Sequence, residues 1–235
     1  MNVDDATSGS AQSEEFARQL AGRRSEYETA GLDVAEVTSD PMAQWQRWYS
    51  EATEAGCVEP HAFVLGTIDE EGWPQSRYLL VRGADQRGFT FFTNYESAKS
   101  RQMAAEPRAA MLFTWLQLHR QVRVVGEVER VPDDESDEYF ASRPRGSQVG
   151  AWSSPQSQPI PDREWLEQRV EQIGTTFGDE AVPRPAFWGG WLLRPNRYEF
   201  WQGRPSRLHD RVRYLSLPGN GDDDPGTWQI DRLAP

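Results

Sequence analysis

The sequence has a single cysteine, Cys57, in 235 residues. An intrachain disulfide is therefore impossible, and a cysteine-rich zinc site is excluded. A lone thiol of this kind reads as a small buried residue rather than a nucleophile. The three histidines, His61, His119 and His209, lie far apart without ligand spacing, so no metal site is expected. No apolar run approaches the length needed to span a bilayer, and the first residues, MNVDDATSGSAQSEEF, lack the basic and apolar regions of a signal peptide. The expectation is a cytoplasmic protein with no membrane contact. Phosphate-cradling glycine loops of the Walker or Rossmann kind are absent, as is a serine-hydrolase pattern. Lysine is nearly missing too: Lys99 stands alone among 25 cationic residues, the rest being arginine.

The chain is acidic, with a formal net charge of −12. Residues 1–60 account for −8 of this, since they hold 12 acids against 4 arginines. Phosphate backbones need a basic face, so nucleic acid is not an expected partner. A local anion pocket stays open. The 10 Trp, 10 Phe and 7 Tyr supply bulk for a core and flat surfaces for stacking on a ligand.

Residues 1–40 read as an acidic, partly disordered arm with a short helix around Glu14–Tyr27, and residues 41–235 as a single domain. After Pro41, Met42, Trp45 and Trp48 recur at helical spacing up to Gly56. HAFVLGTI, QSRYLLVR and FTFFTN, separated by the turns DEEGWP and GADQRG, predict an antiparallel meander. SAKSRQMAAEP predicts a short helix opened by Ser97 and closed before Pro107. AAMLFTW and RQVRVVGEVERV resume the sheet. DDESDEYFASR and PDREWLEQRVEQIGTTFG are helical, with RPRGSQVGAWSSPQSQPIP between them as a loop or linker. WGGWLLRP, NRYEFWQG, SRLHDRVRYL and TWQIDRLAP are the closing strands. The fold class is α+β and mainly antiparallel β, a barrel or sheet with helices packed outside.

Four clusters bear on chemistry. In RLHDR, strand periodicity places Arg207, His209 and Arg211 on one face, near the flat Trp201. Such a face suits an anionic or electron-rich ligand and equally a solvated edge. In SRYLLVR, Arg77 and Arg82 bracket an apolar strand. FFTNYESAKSRQ ends a strand at Thr93 and Asn94 and starts a helix carrying Lys99 and Arg101, the make-up of an anion site. Tyr139, Arg143 and Ser147 are four apart and share one face if the helix continues through them. With cation sites, many aromatics and no acid–base pair, the reactivity is expected to come from a cofactor.

RSEY, SRYLLVR, FFTNYESAK, RQVRVVGEVERV, YFASRPRGSQVGAWSSPQSQ, FWGGW, EFWQGRPSRLHDR and WQIDRLAP together resemble the pyridoxamine 5′-phosphate oxidase family, from about Arg24 to Pro235. The resemblance implies an FMN-binding split β-barrel with peripheral helices, forming a homodimer with FMN at the subunit interface. It implies oxidation of pyridoxamine or pyridoxine 5′-phosphate to pyridoxal 5′-phosphate, with a hydride passing to FMN and O2 becoming H2O2. FMN contacts are implied for Arg77, Tyr78, Leu79, Leu80, Val81 and Arg82, for Phe92, Thr93, Ala98 and Lys99, and for Gln121, Gln156, Ser157, Trp201 and Arg211. Substrate contacts are implied for Arg24, Tyr27, Arg82, Tyr139, Arg143, Ser147, Arg207, Leu208 and His209, with Arg207 and His209 the catalytic candidates. Two positions depart from the family pattern: Arg82 stands where lysine is usual, and Ala98 where arginine is frequent. Arg101, one turn on, is the candidate to replace the cation missing at Ala98. The alternatives are a split-barrel flavin-type reductase with another substrate and a non-catalytic flavin- or vitamer-binding protein.

Overall fold

The computed structural model describes residues 15–21, 27, 29, 31–217 and 227–235. Residues 15–21 form α1, inside the helix expected around Glu14–Tyr27; the rest of that span, apart from Tyr27 itself, lies outside the described residues, as does Arg24. Next comes α2 (Pro41–Glu54), whose start follows from local chemistry: Asp40 is extended, its carboxylate accepts the Met42 N–H at 2.9 Å, and Pro41 takes the first-turn position where no N–H is needed. The helical spacing of Met42, Trp45 and Trp48 buries all three, each no more than 3% exposed.

The strands are β1 (Ala62–Ile68), β2 (Pro74–Leu80), β3 (Gly83–Asp85), β4 (Gly88–Asn94), β5 (Arg108–Trp115), β6 (Arg120–Arg130), β7 (Trp188–Gln202), β8 (Asp210–Ser216) and β9 (Trp228–Leu233). They form one sheet in the order β2-β1-β5-β6-β7-β4-β3, with β8 pairing the far half of β7 and then β9. Every pairing is antiparallel. Strand β7 is the organiser: residues 188–193 pair with β4, residues 197–202 pair with β8, and β6 runs along the opposite edge. The sequence suggested two strands here, WGGWLLRP and NRYEFWQG, divided at Pro195. Instead the register shifts by one residue opposite Val125 and Gly126, and this bulge absorbs the missing proline N–H in a continuous strand.

The inner face carries Phe63, Phe89, Phe113 and Phe200, all fully buried, and α2 seals it with Trp45 against Phe89 and Phe113 and Trp48 against Phe200. Edge-on ring contacts of this kind add to the burial of apolar area. Leu32 joins this core, with Val34 and Val37 packed on it.

Helices α3 (Ala98–Ala105), α4 (Asp133–Ser142), α5 (Arg145–Ser153) and α6 (Arg163–Phe177) lie between the strands in sequence. The segment read as a loop between the two acidic helices thus contains α5, whose glycines and serines conceal a helical turn pattern. Phe140, Val149, Val182 and Trp188 form a second, smaller core that joins α4 and α5 to the start of β7. Close approach there demands Gly189 and Gly190: a Cβ would lie 2.1 Å from the Tyr95 hydroxyl in the first case and 2.5 Å from Val131 in the second. No helix of the described residues is long and apolar enough to cross a membrane.

Candidate active site

The ends of β2 and β4 face α4 and α5 across a cavity of about 710 Å³. Tyr78, Leu79, Leu80 and Arg82 line it from β2 and the residues just after it, Phe92, Thr93 and Asn94 from β4, and Tyr139, Arg143 and Ser147 from the helical side. The expected continuous helix through these last three does not exist. Arg143 is extended at ψ 147°, and Pro144 cannot continue α4, so a new helix starts at Arg145. The break still leaves all three facing one cavity.

Its electrostatics are one-sided. The lining contains two guanidinium groups, Arg82 and Arg143, and no carboxylate. Arg143 is half-buried, and its buried Nη1 has no hydrogen-bond partner among the described residues. Burial first, and then the neighbouring Arg82 charge, push its pKa down, partly offset by Tyr139. An unpaired buried donor costs about 1–3 kcal/mol, and more when charged, so this arrangement favours an anion in the cavity. Aromatic rings hold the guanidinium: Arg143 lies 4.6 Å from the Trp188 ring centre, and Trp188 stacks on Phe92, which stacks on Tyr139 at 3.9 Å.

A second acid-free cation pair adjoins the cavity wall. Lys99, buried in the first turn of α3, donates to Gln156 Oε1 at 2.9 Å, Thr93 Oγ1 at 3.2 Å and Ser97 Oγ at 3.3 Å. Burial and the nearby Arg77 charge lower its pKa to about 8. Arg77 is held by Thr67 Oγ1, the Leu65 carbonyl and Gln102 Oε1, and burial lowers its pKa as well. Ser97 precedes α3 as expected but gives no side-chain cap; its hydroxyl donates instead to the Asn94 carbonyl at 2.7 Å.

The C-terminal candidates form a separate group, and none of Trp201, Arg207, Leu208, His209 and Arg211 lines the cavity. Periodicity failed at RLHDR. Ser206 and Arg207 have φ of 54° and 61° in a short turn, and β8 begins only at Asp210, so residues 207, 209 and 211 do not alternate as one strand face. The turn folds His209 back so that Nδ1 accepts the Arg204 N–H at 3.1 Å. That contact leaves Nε2 as the donor nitrogen of the neutral ring. Trp201 lies 4.6 Å from His209, and Tyr27 contacts both rings as well as His119, at 4.2 Å. Gly203 permits this packing, since a Cβ there would meet Tyr27 at 2.7 Å and His119 at 2.9 Å. Arg211 is paired with the buried Glu199, which also binds Arg123. Gln121 lies beside Trp201 in the β6–β7 register.

Other candidates sit apart. Val81 is buried in the main core, and Leu208 is 69% exposed. Ser157 occupies an exposed turn at φ 71°. Ala98 faces a different hollow, lined by Asp69, Glu70, Glu71, Arg101 and Gln102. There Arg101 donates to the Glu96 carbonyl. Cys57 is buried and burial raises its pKa, which leaves the thiol inert. No metal-binding cluster exists among the described residues. Trp188, within the FWGGW motif, lines the cavity but is not among the candidates the sequence offers; the aromatic-rich motif itself is the available signal.

Residues 49–177 match the family described as pyridoxamine 5′-phosphate oxidase, and residues 188–235 match the pyridoxine 5′-phosphate oxidase C-terminal dimerisation region. The pyridoxine/pyridoxamine 5′-phosphate oxidase of Cupriavidus taiwanensis is 55% identical over 217 residues, covering 92% of this chain and 99% of that protein. The protein of the same name from Burkholderia mallei is 51% identical over 216 residues, with the same coverage. Among solved structures, PhzG from Burkholderia lata in complex with tetrahydrophenazine-1-carboxylic acid aligns with a TM-score of 0.80 at 28% identity, over 89% of this chain and 100% of that one. A pyridoxamine 5′-phosphate oxidase-related, FMN-binding protein from Nostoc punctiforme aligns with a TM-score of 0.64 at 17% identity, over 81% of this chain and 97% of that one, a likeness of fold alone. The fold is the split β-barrel expected from the sequence, and the chain belongs to the pyridoxamine 5′-phosphate oxidase family.

Proposed function

We propose that this protein oxidises pyridoxine and pyridoxamine 5′-phosphates to pyridoxal 5′-phosphate in the cytoplasm, with FMN as cofactor and O2 as terminal acceptor. The observation that carries this reading is the pair Arg82 and Arg143, facing a cavity with no carboxylate, with one buried guanidinium nitrogen unsatisfied. A phosphate monoester supplies the missing charge and acceptors, and arginine's planar fork binds it bidentately. Tyr139 and Ser147 add hydroxyls on the same wall.

The pair of half-buried Arg77 and buried Lys99 fits the FMN phosphate on the same grounds, because both cations are desolvated and neither has an acid partner among the described residues. What FMN supplies when bound is a two-electron acceptor that O2 reoxidises to give H2O2. Phe92 and Tyr139 present stacked rings to flat ligands. The substrate phosphate, fixed by Arg82 and Arg143, sets the position of the pyridine ring, so binding energy remote from the reacting carbon orients it. His209, with Nδ1 already occupied, offers its Nε2 proton to the substrate ring, and Arg207 is the cation placed on the adjacent turn. In one chain these two stand apart from the cavity; the match of residues 188–235 to a dimerisation region supports a homodimer that supplies them across the interface.

Incubating the purified protein with FMN and pyridoxine 5′-phosphate in air tests the reading. Formation of the aldehyde together with peroxide supports it. Yellow, flavin-loaded protein without turnover contradicts it.

A further inference from the structure

We propose that Trp188 is a positioning residue for the substrate phosphate, acting through the guanidinium of Arg143; the inference rests on the oxidase reading above. Among the described residues Arg143 has no carboxylate partner, and its Nη1 is buried without a hydrogen bond, so ion pairs do not orient this side chain. Rings do. The guanidinium lies 4.6 Å from the Trp188 centroid and 5.6 Å from that of Phe140. A guanidinium over an aromatic face is attracted to the ring quadrupole while its in-plane N–H groups stay free for a ligand.

Trp188 is itself anchored on every side. Its ring is near-parallel to Phe92 and Tyr139, at 12° and 7°, and Phe140 meets it edge-on at 5.1 Å. Its backbone carbonyl accepts from Arg184 Nη1 at 2.8 Å, and Arg184 is clamped to Asp133 and Asp137 of α4. Its N–H donates to the Pro185 carbonyl, and β4 holds it in register opposite Asn94. The platform that orients Arg143 is thus built from the helix and strand that also carry Tyr139 and Phe92. Trp188 lines the cavity but contributes no cation, and its effect on phosphate runs through Arg143.

The test is a double-mutant cycle on the FMN-loaded protein, with Trp188→Leu, Trp188→Phe, Arg143→Ala and the Trp188→Leu/Arg143→Ala double variant. Trp188→Leu is expected to raise KM for pyridoxine 5′-phosphate about tenfold with kcat within about twofold, and Trp188→Phe to restore most of the loss. The double variant is expected to be no worse than Arg143→Ala alone, because the two residues act as one unit. Multiplying effects, or a fall in kcat at constant KM, would overturn the proposal. Should Trp188→Leu fail to fold, Trp188→Met decides: a rise in KM that vanishes in the Arg143→Ala background supports it, and an unchanged KM overturns it. A wild type that does not oxidise the substrate sinks the oxidase reading alone. Titration with inorganic phosphate still reads Trp188, through weaker binding in Trp188→Leu that is lost in the Arg143→Ala background.

Discussion

Two arginine-rich regions of this molecule use the same residue type in opposite ways. Around β8 five cations have an acid: Arg211 and Arg123 share Glu199, Arg204 and Arg232 share Asp210, and Arg213 holds Asp231. In the cavity between β2, β4 and α4, Arg82 and Arg143 have none among the described residues, and neither do Arg77 and Lys99 beside it. Paired arginines stitch strands together. Cations that lack an acid and are drawn out of water, as Lys99, Arg77 and Arg143 are, favour an anion from outside, so desolvation without a partner marks the site better than the density of positive charge does.

The largest effect is expected where such a cation is removed. Arg143→Ala should raise KM for pyridoxine 5′-phosphate roughly a hundredfold, since it deletes a charge-assisted, bidentate contact. Arg213→Ala, on the paired side, should leave KM within about twofold by the same steady-state assay. A comparable rise in both would break the contrast.

Glu199→Gln removes the acid that Arg211 and Arg123 share. The Glu199 side chain is only 6% exposed, whereas Arg211 and Arg123 are more accessible, at 28% and 49%. The expected destabilisation is therefore about 2 kcal/mol rather than the larger loss of a fully buried pair, read from the urea midpoint.

Lys99 sharpens the contrast by pH. Its pKa is lowered to about 8, so the ammonium persists below that value and is lost above it. FMN affinity should fall as pH rises through about 8 and beyond, because the phosphate loses its cation; bound phosphate moves the midpoint upward by favouring the charged form. In the absence of ligand the sign reverses. Between about 8 and the ordinary lysine pKa of about 10.4 the unfolded chain holds the extra proton, so stability rises with pH. Lys99→Met should flatten both profiles, measured by flavin-fluorescence titration and by urea unfolding. The smallest effect is expected from Arg101→Ala: Arg101 is held by the Glu96 carbonyl in a hollow it shares with Asp69 and Glu71, so FMN affinity should change by less than about twofold.

Much of the fold was legible because burial leaves a period in the sequence. Met42, Trp45 and Trp48 mark α2, and the alternation of Val122 and Val124 marks β6, since one face of each meets the core. α5 was hidden, because Gly146, Ser147 and Gly150 carry no apolar stripe and its burial comes from Val149 alone among its apolar residues. At RLHDR the period misled, since backbone at Ser206 and Arg207 leaves the extended region before β8 starts. The family motifs named the cations. They could not reveal which cations lack acids, because Glu199 and Arg123 meet only when β6 and β7 pair, and Arg143 meets Trp188 only when the end of α4 packs on β7.

The most direct measurement is the ratio of kcat/KM for pyridoxine 5′-phosphate to that for unphosphorylated pyridoxine, in the wild type and in Arg143→Ala. The wild type should prefer the phosphorylated form by at least about a thousandfold, and Arg143→Ala should lose most of that preference while its rate on pyridoxine stays nearly the same. A preference that survives intact in Arg143→Ala would contradict the assignment of the acid-free cavity as the substrate-phosphate site.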